Sequence, residues 1–102
     1  MKTIARLSDI PADRGLSVAH AGGHIALFRI GDCVHAIDDS CPHSGASLAN
    51  GKLEGAFVRC PGHGLLFDVR TGCMKGNPAF GAKSFAVQVS AGQVILDQAP
   101  AP

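Results

Sequence analysis

The sequence has no tryptophan and no tyrosine, and its only aromatic residues are five phenylalanines. It also lacks an apolar run near the ~18 residues of a membrane span, so an integral membrane protein is not expected. A basic n-region followed by an apolar stretch and a cleavage site is missing, which argues against export by a signal peptide. There is no basic block, and the formal net charge is only +1. Nucleic acid is therefore not expected as the main partner. Charged residues make up 17% of the chain against 46% hydrophobic ones, which excludes intrinsic disorder. A chain of 102 residues is one domain. By the general size trend it can bury about 64% of its unfolded surface, enough for a modest core.

Against these absences stand four cysteines, five histidines, 13 glycines and six prolines. Without a secretory signal, cysteines in so short a chain more often bind metal or stay reduced than pair as disulfides. No internal repeat and no linker is visible. The end, Gln98-Ala99-Pro100-Ala101-Pro102, reads as a flexible tail, leaving residues 1–97 as a single domain.

Short apolar segments alternate with Gly-rich turns. Strands are expected at Thr3 to Leu7, Leu16 to His20, Ile25 to Ile30, Cys33 to Ile37, Phe57 to Arg59, Leu65 to Val69, Phe85 to Val89 and Gln93 to Leu96. Ala21-Gly22-Gly23-His24, Gly31-Asp32 and Ala91-Gly92 are turn signals. No window carries a helical stripe. Six to nine short strands at this spacing point to an all-β sandwich or barrel. Two stretches break the pattern, Cys41 to Pro61 and Gly72 to Gly81. Both read as long loops, and long structured loops usually carry function.

The first of these stretches opens with Cys41-Pro42-His43-Ser44-Gly45 and runs into Cys60-Pro61-Gly62-His63-Gly64. A Cys-x-His pair is thus followed by a Cys-x-x-His pair, each in a loop with proline and glycine. Thiolates are soft ligands suited to iron–sulfur clusters, and neutral imidazole suits borderline metals. Glycine lets main-chain N–H groups approach and point at sulfide, and proline stiffens the loop beside each cysteine.

These two pairs, with Phe67-Asp68-Val69-Arg70-Thr71-Gly72 and Pro78 downstream, resemble the Rieske [2Fe–2S] family over nearly the whole chain. The resemblance implies an antiparallel β-sandwich or barrel carrying a small cluster-binding subdomain of two Gly/Pro loops, within about residues 40–80. It implies that Cys41 and Cys60 bind the inner iron and His43 and His63 the outer one. Two ferric ions, two sulfides and two thiolates cancel in charge, whereas a four-cysteine cluster would carry −2. A neutral centre accepts an electron more readily, and Rieske centres as a class span roughly −150 to +300 mV. High-potential members carry two extra cysteines in a disulfide between the loops. Ala46 and Gly62 stand there instead. Those members also place hydroxyls where this chain has Leu65 and Phe67. Fewer donors to the cluster leave the reduced state less stabilised, so a low potential is expected.

The resemblance further implies an electron carrier rather than an enzyme. It implies a soluble cytoplasmic ferredoxin that would take single electrons from a flavoprotein NAD(P)H reductase and pass them to a terminal oxygenase of the kind used in aromatic-ring catabolism. Its midpoint should fall with rising pH once His43 and His63 deprotonate. Two alternatives remain open: the small Rieske subunit of an assimilatory nitrite reductase, and a structural zinc module. Zinc accepts Cys₂His₂, but its usual spacing is C-x₂₋₄-C with H-x₃₋₅-H.

The other candidates read as background. Cys33-Val34-His35 repeats the Cys-x-His spacing but lies in an apolar strand, so Cys33 is expected as a small buried hydrophobe. His35 is expected as a surface or satisfied residue. Cys73 is expected as a plain thiol, and His20 and His24 as solvated. Asp38 and Asp39 either shape a turn or face a partner. Asp68, Arg70 and Thr71 read as a turn, and Leu48, Leu65 and Pro78 as core, cluster shield or contact surface.

Overall fold

A computed structural model describes residues 2–20, 23–40, 47–62 and 64–96. Twelve strands are present among them. They are β1 (Lys2–Arg6), β2 (Leu16–His20), β3 (Gly23–Ile30), β4 (Cys33–Asp38), β5 (Lys52–Glu54) and β6 (Phe57–Arg59). The rest are β7 (Leu66–Asp68), β8 (Cys73–Met74), β9 (Asn77–Gly81), β10 (Ser84–Phe85), β11 (Val87–Ser90) and β12 (Gln93–Leu96). Single 3-10 turns cover Leu7–Asp9 and Leu48–Asn50. All strand pairing is antiparallel, as the sequence pattern anticipated.

The strands form three sheets, ordered β1-β12-β11, β10-β4-β3-β2 and β5-β6-β7-β8-β9. The four-stranded sheet is central because both of its faces are apolar. Ile25, Ala26, Leu27 and Phe28 are four consecutive buried residues of β3. Such an unbroken run marks a strand covered on both sides, where a half-exposed strand would alternate. Ala26 and Phe28 of β3 and Ile37 of β4 pack with Val58, Phe67 and Val69 of the five-stranded sheet and its flanks. Leu27 of β3 and Val34 and Ala36 of β4 pack with Val94 of β12, with Ile4, Ala5 and Val87 around them.

The apparent strand Phe85 to Val89 divides between two sheets. Phe85 pairs with Ala36 of β4, and Val87 pairs with Leu96 of β12. The chain changes sheets at Ala86, a corner of the kind packed sheets need. Its period-two pattern survives because each half still alternates across a pleat.

The five-stranded sheet is an uninterrupted meander inserted between β4 and β10. Its entry and exit lie side by side. Ser84 pairs with Ile37, and Asp38 N–H donates to the Lys83 carbonyl at 2.7 Å. The stretch Gly72 to Gly81, expected as an irregular loop, instead supplies β8 and β9. These strands are two and five residues long, and their glycines and proline hide them from a propensity reading. Their closeness is specific: the Ala82 N–H donates to the Gly72 carbonyl at 2.8 Å. A Cβ on Gly72 would run into the Ala82 carbonyl, and one on Gly81 into the Gly72 carbonyl.

Two-residue turns close the β3–β4 and β11–β12 hairpins. Gly31 takes φ +61° and Asp32 does not share it, the pattern of a type II′ turn between β3 and β4. Between β11 and β12 both central residues have positive φ, Ala91 at 51° and Gly92 at 76°, as type I′ requires. Alanine is poorly suited to that conformation, whereas asparagine tolerates it. Ala91→Asn is expected to stabilise the fold by about 0.5–1 kcal/mol, the usual scale for relieving such a mismatch. A rise of several degrees in the thermal midpoint checks it; no change or a fall refutes it.

Candidate metal centre

The two cysteine–histidine loops leave the fold from neighbouring places. The first, residues 41–46, is closed at its base by an isolated antiparallel bridge between Ser40 and Ser47. The second lies between β6 and β7, where Cys60 N–H donates to the Leu65 carbonyl at 2.7 Å. Gly64 N–H returns a bond to the Cys60 carbonyl at 2.8 Å, and Gly64 turns the chain with φ +72°. Leu48, just beyond the first loop, and Cys60, which opens the second, are buried in the same apolar cluster. One core therefore seats both loop bases.

Cys60 is 1% exposed. A cysteine there, with a main-chain turn wrapped around it, suits a thiolate ligand shielded from water. Cys41, His43 and His63, the other proposed ligands, lie outside the described residues, as do Ala46 and the tail 98–102. Phe67 is fully buried in the same cluster as Cys60, and half-buried Leu65 packs against it. The two positions lacking hydroxyls are thus apolar wall beside the second loop.

Asp39 anchors the first loop. It is 7% exposed and immediately follows β4. Its Oδ1 and Oδ2 accept from the Ser47 hydroxyl at 2.8 and 2.9 Å, and Oδ2 accepts from Ser17 of β2 at 3.0 Å. Oδ1 also accepts the Ala49 N–H at 2.8 Å. The Asp39 carbonyl accepts the Leu48 N–H at 2.6 Å, and its own N–H donates to the His24 carbonyl at 3.2 Å. Sequence reasoning treated Asp38 and Asp39 alike. Asp38 is indeed a turn residue, its Oδ1 accepting the Ser40 N–H at 3.1 Å. Nothing in the sequence separates the two, because the difference lies in partners 8 to 22 residues away in the chain.

Asp68, Arg70 and Thr71 shape a turn, as expected. Asp68 Oδ1 accepts the Arg70 N–H and Nε at 2.9 and 3.0 Å, and Oδ2 pairs with Arg70 Nη2 at 2.9 Å. The Arg70 side-chain bond holds the Asp68 carboxyl below its ordinary range, and Asp68 in turn raises the guanidinium. Thr71 Oγ1 accepts the Cys73 N–H at 3.2 Å.

One background expectation needs correcting. Cys33 is exposed, not buried. It shares a face of β4 with His35 and Ile37, and exposure falls along that face from Cys33 through half-buried His35 to fully buried Ile37. The five-stranded sheet covers one end of the face and not the other. Of the readings open for Leu48, the structure shows fully buried core. His24 is exposed as expected, and Cys73 is half-buried in β8. The side chains of His20 and Pro78 lie outside the described residues.

Two shallow clefts of about 440 Å³ are lined by Ile10, Arg29 and Leu53, and by Cys33, His35 and Val87.

The family model of the Rieske [2Fe–2S] domain matches residues 1–94. The chain belongs to this family. The Rieske cofactor is a [2Fe–2S] cluster, and buried Cys60 on its closed loop fits a thiolate ligand to it. The chain is 39% identical over 73 residues to ferredoxin CarAc of Metapseudomonas resinovorans, covering 71% of this chain and 68% of that one. It is 33% identical over 92 residues to the ferredoxin component of a naphthalene 1,2-dioxygenase system from Pseudomonas aeruginosa, covering 89% and 88%. Among solved structures, a complex of reduced oxygenase and oxidised ferredoxin in carbazole 1,9a-dioxygenase holds a similar chain. That match has TM-score 0.82 and 33% identity, with 93% and 99% coverage.

Asp39→Ala would leave the Ala49 N–H buried without its acceptor. A loss of about 2 kcal/mol is expected, roughly a 10 °C fall in the temperature at which the visible cluster absorbance bleaches. Asp38→Ala, which removes one exposed bond, should cost less than about 1 kcal/mol. Equal effects from the two variants would contradict the anchoring role.

Proposed function

We propose that this protein is a low-potential Rieske ferredoxin in which residues 1–97 act as one domain. It carries single electrons in the cytoplasm from a flavoprotein NAD(P)H reductase to a terminal oxygenase of the aromatic-ring type. The observation that carries this reading is the match, over most of both lengths, to stand-alone ferredoxin components of dioxygenase systems.

Cys41 and Cys60 hold the inner iron, and His43 and His63 the outer iron. The cluster, when bound, supplies one-electron chemistry. The chain does the rest. Cys60 keeps its thiolate out of water, and the turn from Cys60 to Leu65 holds the loop shut through two main-chain bonds. Asp39 fixes the base of the first loop through bonds from Ser47 and Ala49. Leu65 and Phe67 offer the cluster no hydroxyl donors, which keeps the potential near the bottom of the ~−150 to +300 mV class range.

The test combines composition, potential and turnover. The purified protein should hold two irons and two acid-labile sulfides, with a midpoint below zero. NADH-driven product formation by a reductase and a ring-hydroxylating oxygenase should depend on adding it. Cys41→Ser and Cys60→Ser should lose the cluster, and Cys33→Ser and Cys73→Ser should keep it. Phe67→Tyr adds one donor and should raise the midpoint by about 40 mV, the one-electron equivalent of roughly 1 kcal/mol for a hydrogen bond. A midpoint well above zero overturns the low-potential reading. A colourless zinc protein, or stable co-purification with a sirohaem subunit, overturns the ferredoxin reading.

A further inference from the structure

Arg59 is the last residue of β6 and immediately precedes Cys60. Its side chain turns back over the second loop, where Nη1 donates to the Gly64 carbonyl at 3.2 Å. Gly64 follows His63 directly, so this one residue touches the loop at both limbs, by sequence next to Cys60 and by hydrogen bond next to His63. The guanidinium packs beside Gly64, with Nη1 3.8 Å from where a Cβ on that residue would stand, an ordinary contact distance. The other edge of the fork is held from behind. Nε and Nη2 both meet Glu54 Oε2 of β5 at 3.4 Å.

We propose that Arg59 is a positioning residue for the second loop, holding the Gly64 carbonyl and setting a positive charge beside the electron-accepting centre, with Glu54 orienting it. The inference rests on the ferredoxin reading above and on Cys60 and His63 as ligands.

The ion pair with Glu54 is half exposed on both sides, with side-chain exposures of 50% and 45%. Pairs of that kind contribute little to stability, so its use is orientation. A planar guanidinium serves two acceptors on different edges at fixed angles, which a lysine ammonium does not reproduce. The electrostatic consequence follows from charge. One ferric ion becomes ferrous on taking an electron from a reductant, and the site gains one negative charge. A nearby fixed cation favours that reduced form and raises the midpoint. Glu54 opposes it in part.

Opposite shifts are therefore expected from the two partners. Arg59→Gln should move the midpoint to more negative values, and Glu54→Gln to more positive values. Both shifts should shrink as salt rises towards 1 M, because exposed charges are screened over a few ångströms there. Arg59→Lys keeps the charge without the fork. It should return the midpoint most of the way to the parent value while the visible circular dichroism of the cluster stays altered. These measurements use electrode or dithionite titration of the intact protein, with iron and sulfide determined first in every variant. A parent protein without a cluster would sink the ferredoxin reading itself. Cluster-loaded variants whose midpoints do not move, or move in the same direction, overturn the role of Arg59 alone. If Arg59→Gln does not fold, the sign and salt dependence of the surface variant Glu54→Gln still decide it.

Discussion

The site depends on the carboxyl group of Asp39, which is buried and yet accepts from two serine hydroxyls and a main-chain N–H. Burying a polar group is costly unless its bonds are made, and here they are made to β2 and to the segment after the first loop. The cost of leaving any of them unmade is what fixes the geometry. The loop base is therefore set by the protein's own hydrogen bonds, before any cofactor contributes. The second loop reaches the same condition differently, through two main-chain bonds across a glycine turn. Between them lies one apolar cluster holding Leu48 and Cys60, so movement at one loop base is felt at the other.

That arrangement follows from the doubly covered central sheet. β3 and β4 bury residues on both faces, and only one face is committed to the loops. The second core, around Leu27, Val34 and Val94, supports the frame without touching Cys60's cluster. The two apolar cores, only one of which holds Cys60, are thus separated across a single layer of strands. Charge is handled with the same economy. The closest ion pairs, Asp68 with Arg70 and Glu54 with Arg59, each lie within or beside the inserted meander. One shapes a turn, and the other meets the loop that contains Cys60.

Much of the fold was legible in the sequence because its strands are short and bounded by glycine turns. Leu16–His20, Phe57–Arg59 and Gln93–Leu96 match their expected limits. Membership of the Rieske family was legible because the Cys-x-His and Cys-x-x-His pairs carry a spacing specific to it. Other features were hidden for physical reasons. The strands β8 and β9 carry glycine and proline and exist through close backbone approach at Gly72 and Gly81, which propensity does not report. The division of Phe85 to Val89 between two sheets leaves no mark, because a period of two is the same in either sheet. Cys33 read as buried because its neighbours are apolar, but exposure at that end of β4 depends on how far another sheet extends. Asp39 was indistinguishable from Asp38 until three-dimensional partners separated them.

The meander's adjoining ends, closed by the Ser84–Ile37 pair and the Asp38–Lys83 bond, have a consequence for how such a chain can vary. Once two ends are clamped together, the entropy of the intervening chain grows only logarithmically with its length. Doubling it costs about 0.6 kcal/mol. Insertions in the outer turns of the meander are thus thermodynamically cheap, while the clamp insulates the two-faced frame from them. The outline presented to a protein partner can be recut by changing turn length alone, leaving the electron-carrying interior as it is.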